Sequence, residues 1–265
     1  MPVKIIESPK TEPVSLDELK RHLRIVHDDE DDTLLTYLKS ATRYAESTLT
    51  WRSFVEQELE LTLDGFQDEI RLPRPPLQEV VSVKYFDKGN TEQTVDTDVY
   101  IVDTDSEPGR VIRANGKQWP TDLRQINAVK IRYKAGYETF TGTVNVTNGE
   151  DDPFVNVSWV SGDKFDTGWK ISQRIIVNGI AHKLSTITDD ENLTIQESAG
   201  EELTNVNYSV NFVPQEIKQG VLILAGHFFE VREPVIIGTS VMTVPFTVEA
   251  LLMPWRSWIA GGEAK

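Results

Sequence analysis

Apolar positions recur along this chain with two different periods, and the switches between them mark its organisation. Leu16, Leu19 and Leu23 follow one another at helical spacing, and Leu34, Leu38, Ala41, Ala45 and Leu49 do so again at steps of four, three, four and four. The first set predicts a short helix ending near Val26. It opens on Ser15-Leu-Asp-Glu18, where the serine side chain caps an exposed N–H and the glutamate reaches back. The second set predicts a long helix reaching about Arg52, and the acidic run Asp28 to Asp32 lies where carboxylates meet the positive end of the helix dipole. A short connection makes the two a hairpin. Late in the chain Ile217, Val221, Leu224, Phe228 and Val231 form one more buried stripe, on a helix from Pro214 to Arg232. Pro214 suits its first position and Glu216 its first turn.

Between these helices the period is two. Val55, Leu59, Leu61 and Leu63 alternate with Glu58, Glu60 and Thr62, which predicts a half-exposed strand. After the stiff stretch Arg71 to Pro76 come strands at Val80–Phe86, Val99–Val102, Val111–Ile112 and Val129–Tyr133, and Ala135-Gly-Tyr137 closes the meander. From Phe140 to Phe212 the texture changes to Thr, Val, Asn and Asp. Short strands are expected there at Thr143–Thr147, Val155–Trp159, Arg174–Val177, Ala181–Leu184, Leu193–Gln196 and Asn207–Phe212. Asn178-Gly179 is a two-residue hairpin turn. The fold class is therefore α+β. Residues 1–139 and 213–265 form one discontinuous domain of helices and a β meander, and residues 140–212 form an inserted all-β barrel or sandwich. Inserted domains enter and leave at neighbouring surface points, which is what this order requires.

Charge narrows the function. The net charge is −15, from 27 basic and 42 acidic side chains, and no Lys/Arg cluster is longer than a pair. Such a chain repels nucleic acid, because binding needs cations that displace phosphate counterions. The acidic runs at Asp28–Asp32, Glu150–Asp152 and Asp189–Glu191 read as solvated turns or helix starts, or as an acidic wall beside DNA. No cysteine is present, which excludes disulfides, thiolate metal sites and cysteine nucleophiles. No run of eighteen apolar residues exists, and Met1 to Glu7 is too quickly charged for a signal peptide, so no membrane association is expected. His22, His27, His182 and His227 do not share a metal-binding spacing. Asp151, Asp152, Asp163 and Asp166 lack the calcium-loop pattern and read as turn formers. Neither a Gly-x-Ser-x-Gly elbow nor a phosphate-cradling glycine loop occurs, so no catalytic residue, metal or cofactor is assigned and the chain is not read as an enzyme.

Several segments, in order, resemble the head–tail connector (adaptor) proteins of long-tailed bacteriophages. They are Pro13–Leu23, Ala45-Glu46, Leu72–Tyr85, Tyr133–Tyr137, Val213–Gln219, His227–Glu233 and Leu251–Trp258, spread over roughly residues 5–137 and 213–258. The resemblance implies a virion structural protein at the head–tail interface, assembled in the host cytoplasm. It implies a homo-oligomeric ring, usually of twelve copies, that joins the portal protein to the neck or tail-completion protein and continues the DNA channel without binding DNA specifically. The chain departs from the family pattern through the β module at 140–212. That module resembles small β domains of phage structural proteins in Ser161–Trp169 and Ile175–Gly179.

Two groups of residues are candidates for recognition. Arg232, Trp255, Arg256 and Trp258 combine arginine with tryptophan near the end of the chain, a pairing common at interface hot spots. They are expected to meet the portal or a neighbouring subunit, the other reading being that they dock on their own domain. The approach to them, Val235 to Pro245, reads as an extended loop covered by a partner, and Val235 to Trp258 as a tail loosely held in the isolated chain. Trp159, Phe165 and Trp169 are the second group. Exposed together they would give the alternative function, a virion module binding carbohydrate or protein through its inserted domain.

Overall fold

The structure, a computed structural model, describes residues 3–149, 155–171, 173–231 and 246–257. Its described residues fall into two compact units, one within 1–10, 43–137 and 249–265, the other within 11–42 and 138–248.

The first unit holds β1 (Val3–Glu7), β2 (Gln57–Leu63), β3 (Glu69–Arg71), β4 (Leu77–Phe86), β5 (Glu92–Thr94), β6 (Tyr100–Asp103), β7 (Arg110–Arg113) and β8 (Val129–Ala135). They build an antiparallel sheet of order β1-β2-β8-β4-β5 and a smaller one of order β3-β7-β6. Leu59, Leu61, Ile70, Leu72, Val83, Val111, Ile131 and Tyr133 fill one core with both sheets around it. The alternation in β2 predicts a half-exposed strand, yet Gln57, Glu60 and Thr62 are buried as well. β2 lies between β1 and β8, and the Glu60 carboxylate is met across the β8 pairing by Arg132 at 3.3 Å and Lys130 at 3.7 Å. The long aliphatic stems of those cations cover the polar face while their heads neutralise it.

The second unit carries α1 (Leu16–Leu23), most of α2 (Asp31–Tyr44), the strands β9 (Thr139–Thr147), β10 (Asn156–Gly162), β11 (Arg174–Val177), β12 (Ile180–Ile187), β13 (Asn192–Ile195) and β14 (Leu203–Asn211), and α3 (Gln215–Glu230). The capping box forms as the sequence predicts: Glu18 N–H donates to Ser15 Oγ at 3.1 Å and Ser15 N–H to Glu18 Oε2 at 3.0 Å. The six strands close into a barrel of order β10-β13-β12-β11-β14-β9. Asn178 and Gly179, at φ 49° and 83°, make the turn between β11 and β12. Closure depends on a close approach of β9 and β10, where a Cβ on Gly142 would lie 2.1 Å from the Ser161 carbonyl oxygen. Gly162 opposite adopts φ +88°, which disfavours any side chain.

The helices expected beside the β meander fall instead in the barrel's unit. Asp17 accepts from Ala181 N–H at 3.5 Å, Glu18 faces Arg174 at 3.9 Å, and Asn211 Nδ2 donates to the Pro13 carbonyl at 3.3 Å. α3 buries Ile217, Val221 and Leu224 of the predicted stripe, leaves Phe228 half-buried, and buries Ala225 beside it. The second helix does not run uniformly to Arg52. From Ala45 to Thr50 it widens into a π-turn, and Thr50 Oγ1 donates to the Ala45 carbonyl at 2.8 Å. The extra residue per turn brings Glu46 and Thr50 inside and leaves Leu49 only half-buried.

Candidate interface residues

The first unit is tied together at Arg52, a residue the hydrophobic pattern does not mark. The π-turn ends at Trp51, which adopts φ 54°, and the chain then turns Arg52 inward to 4% exposure. Its Nη1 donates to Glu107 Oε1 at 3.0 Å and to the Tyr137 hydroxyl at 3.3 Å, and its Nη2 bonds Glu107 Oε2. Its Nε donates to the Trp255 carbonyl at 2.9 Å. The guanidinium also lies 5.8 Å from the Trp255 ring centre and 6.0 Å from that of Tyr137, and those two rings meet edge to face. Burial alone would lower the Arg52 pKa, but its bonds to Glu107 and Tyr137 outweigh that and raise it; bonding to Arg52 in turn lowers Glu107. The guanidinium, fixed by its bidentate pairing with Glu107, therefore uses its remaining Nε–H to hold main chain 203 positions away in sequence. Ser257 N–H continues the attachment, donating to the Thr50 carbonyl at 2.7 Å.

This geometry corrects the expectation of a loosely held tail over its described part. α4 (Phe246–Leu252) buries Val248 and Leu252, and Ser257 is buried beyond it. Trp255 is half-buried on its own unit, and Arg256 is exposed. Arg232, Trp258 and the approach from Val235 to Pro245 lie outside the described residues.

The aromatic group of the barrel is corrected too. Phe165 and Trp169 are 3% and 5% exposed and belong to the barrel core, packed with Phe140, Tyr208 and Phe212. Trp159 is half-buried against the same core, with Lys164 Nζ 5.4 Å from its ring centre. Closing the barrel needs these rings inside, so they offer no exposed binding face.

The acidic positions act mainly locally. Lys20 pairs with Asp28 at 2.5 Å and Asp31 at 2.8 Å, and Lys164 with Asp190 and Glu191 at 2.9 and 2.7 Å. Asp166 accepts from Gly168 N–H at 2.8 Å, as turn-forming aspartates do, whereas Asp163 accepts from Thr141 N–H, 22 positions earlier, at 2.8 Å and so ties two segments of the barrel together. Among the described residues no group of three or more His, Asp or Glu could hold a metal ion. Among them, too, no helix is long and apolar enough to cross a membrane. Arg52 and Glu107 are the site residues that sequence reading misses. They are 55 positions apart, and neither lies in a recognisable motif.

Residues 13–108 match the family model of the phage gp6-like head-tail connector proteins. The fold is similar to solved structures of gene transfer agent (GTA) particles over essentially the whole chain. A chain from the neck of an empty GTA particle computed with C6 symmetry aligns at a TM-score of 0.59 and 18% identity, covering 100% of both chains. One from the virion of a native particle gives 0.58 and 19%, covering 99% of each. One from the neck of a native particle computed with C12 symmetry gives 0.55 and 18%, covering 100% of each. No curated protein sequence matches the chain.

Proposed function

We propose that this protein is a ring-forming adaptor of a virion neck. Copies of it, twelve in the arrangement the family resemblance implies, join the portal vertex to the neck or tail-completion protein and surround the DNA channel. The match of residues 13–108 to head-tail connector proteins carries this reading, and the likeness of the whole fold to neck chains supports it. A ring lets one small subunit cover its exposed surfaces by repeating a single heterologous contact until it closes. On this reading residues 140–212 are an insertion into the adaptor, and Arg232, Trp255, Arg256 and Trp258 face the portal or the next subunit. Arg52 then positions the segment that makes that contact. The net charge of −15 suits a conduit, since DNA must slide past it without adhering.

Electron microscopy of the purified protein, alone and mixed with its portal, tests the proposal. Closed rings that dock on the portal are expected; a monomer that ignores the portal at micromolar concentration would rule the adaptor role out. Duplex DNA should bind negligibly at physiological salt. Micromolar binding with a steep salt slope would replace the passive conduit with a DNA-gripping one.

A further inference from the structure

The barrel's unit contains a cleft that runs against the overall charge of the chain. It is bounded by α1, by β11 and β12 of the barrel, and by the start of α3, with a volume of about 730 Å³. That volume falls within the range of sites that enclose a ligand. Arg21, Arg174, Lys183 and Lys218 line it, against Glu18 as the acid of its wall, in a chain with 42 acidic and 27 basic side chains. Two of these cations are already answered, Arg21 by Asp17 at 2.8 Å and Arg174 by Glu18 at 3.9 Å. Among the described residues neither Lys183 nor Lys218 has a carboxylate within ion-pair distance.

Lys218 is the more telling of the two. It sits on the first turn of α3, half-buried, where the helix dipole adds positive potential to its own charge. Burial lowers its pKa and Arg174 adds to the effect, while Glu18 opposes it. A cation in such a place costs stability until an anion joins it. The remaining wall is mixed: the polar side chains of His22, Gln173, Asn211 and Gln215 lie beside an apolar strip of Phe212, Pro214 and Leu222.

We infer that this cleft binds a short acidic segment of another protein chain, its carboxylates meeting Lys218 and Lys183 and its apolar side chains meeting Phe212 and Leu222. A wall that sets amide side chains (Gln173, Asn211, Gln215) beside an apolar strip (Phe212, Leu222) favours a peptide, whose main chain can use the first and side chains the second, over a bare phosphate, which would leave the strip unused. Nucleic acid fits less well, because a long polyanion would also meet the acidic surface of the rest of the chain. The inference does not rest on the ring reading and would stand for an isolated monomer.

The test uses the full chain and a fluorescent peptide of alternating glutamate and leucine, followed by anisotropy at low salt. Binding is expected that weakens about tenfold in Lys218→Gln and further in the double variant with Lys183→Gln, as loss of a partly desolvated charge contact predicts. Lys218→Arg should retain it, and a glutamine-for-glutamate peptide should not bind. Thermal melts of each variant establish that the unit remains folded. The proposal fails if the wild-type protein ignores the peptide or the double variant binds it equally well. It also fails if inorganic phosphate or a short DNA duplex displaces the peptide, which would make the cleft a phosphate site.

Discussion

Two tryptophan-bearing regions of this molecule look alike in sequence and differ in what they do. Gly168-Trp169-Lys170 and Pro254-Trp255-Arg256 both set a tryptophan between a turn-forming residue and a cation. In the barrel, Trp169 is 5% exposed and surrounded by Phe140, Phe165 and Phe212. In the other unit, Trp255 is half-buried, with a guanidinium 5.8 Å from its ring centre, and is held through its own carbonyl. The first ring is held by dispersion and exclusion of water, the second by charge and hydrogen bonding. Local sequence does not separate these cases, because the difference is made by strands and side chains far away.

Substitutions can break or sharpen that contrast. The largest effect is expected for Trp169→Ala, which should cost about 3–5 kcal/mol as a core truncation and lower the barrel's denaturant midpoint. A change within about 0.5 kcal/mol, the size of a neutral surface substitution, would return Trp169 to the surface. Arg52→Ala should cost about 1–3 kcal/mol, since it removes the bonds to the Trp255 carbonyl and the Tyr137 hydroxyl. Glu107→Gln should cost less than Arg52→Ala, because the Glu107 side chain is half-exposed and solvent screens its charge. Equal losses from the two would show that the ion pair, and not the grip on main chain, does the holding. Trp255→Ala should cost about 1 kcal/mol, the scale of one cation–π contact, and hydrogen exchange at Ser257 N–H should rise with it.

The smallest effect concerns acid. Asp103 is held at about 2 by the Ser106 hydroxyl and by Arg110, below its ordinary 3.8. Its folded pKa is depressed, so its contribution is present above the ordinary value and is lost as pH falls from about 4 toward 2. Melting followed across that range should decline less in Asp103→Asn than in the parent protein. An unchanged decline would assign acid sensitivity to other carboxylates.

What the sequence reveals follows how local each determinant is. The Ser15 box, the Asn178-Gly179 turn and the six barrel strands are legible because a few neighbouring residues decide them. The edge strand β1 has no long alternation to announce it, and it forms because β2 offers it a partner. The burial of Glu60 depends on Arg132 and Lys130, some seventy positions later. The π-turn at Ala45–Thr50 keeps the composition of a helix while shifting its phase, so periodicity reads through it. The clamp is least legible, since its carboxylate, its phenol and its carbonyl come from three separate segments.

Closure of the barrel also matters for how copies behave when crowded. A sheet with an open edge presents unpaired N–H and C=O groups to any identical neighbour, and identical neighbours are what a multi-copy assembly supplies. In the other unit the edge strand β5 is only three residues long and fully exposed, too short to template much. The barrel has no edge, because β9 pairs with both β10 and β14 and Gly142 lets the seam close. A side chain at Gly142 would therefore do more than destabilise one subunit. It would unzip a seam in every copy at once, turning a self-contained module into one that adheres to its neighbours.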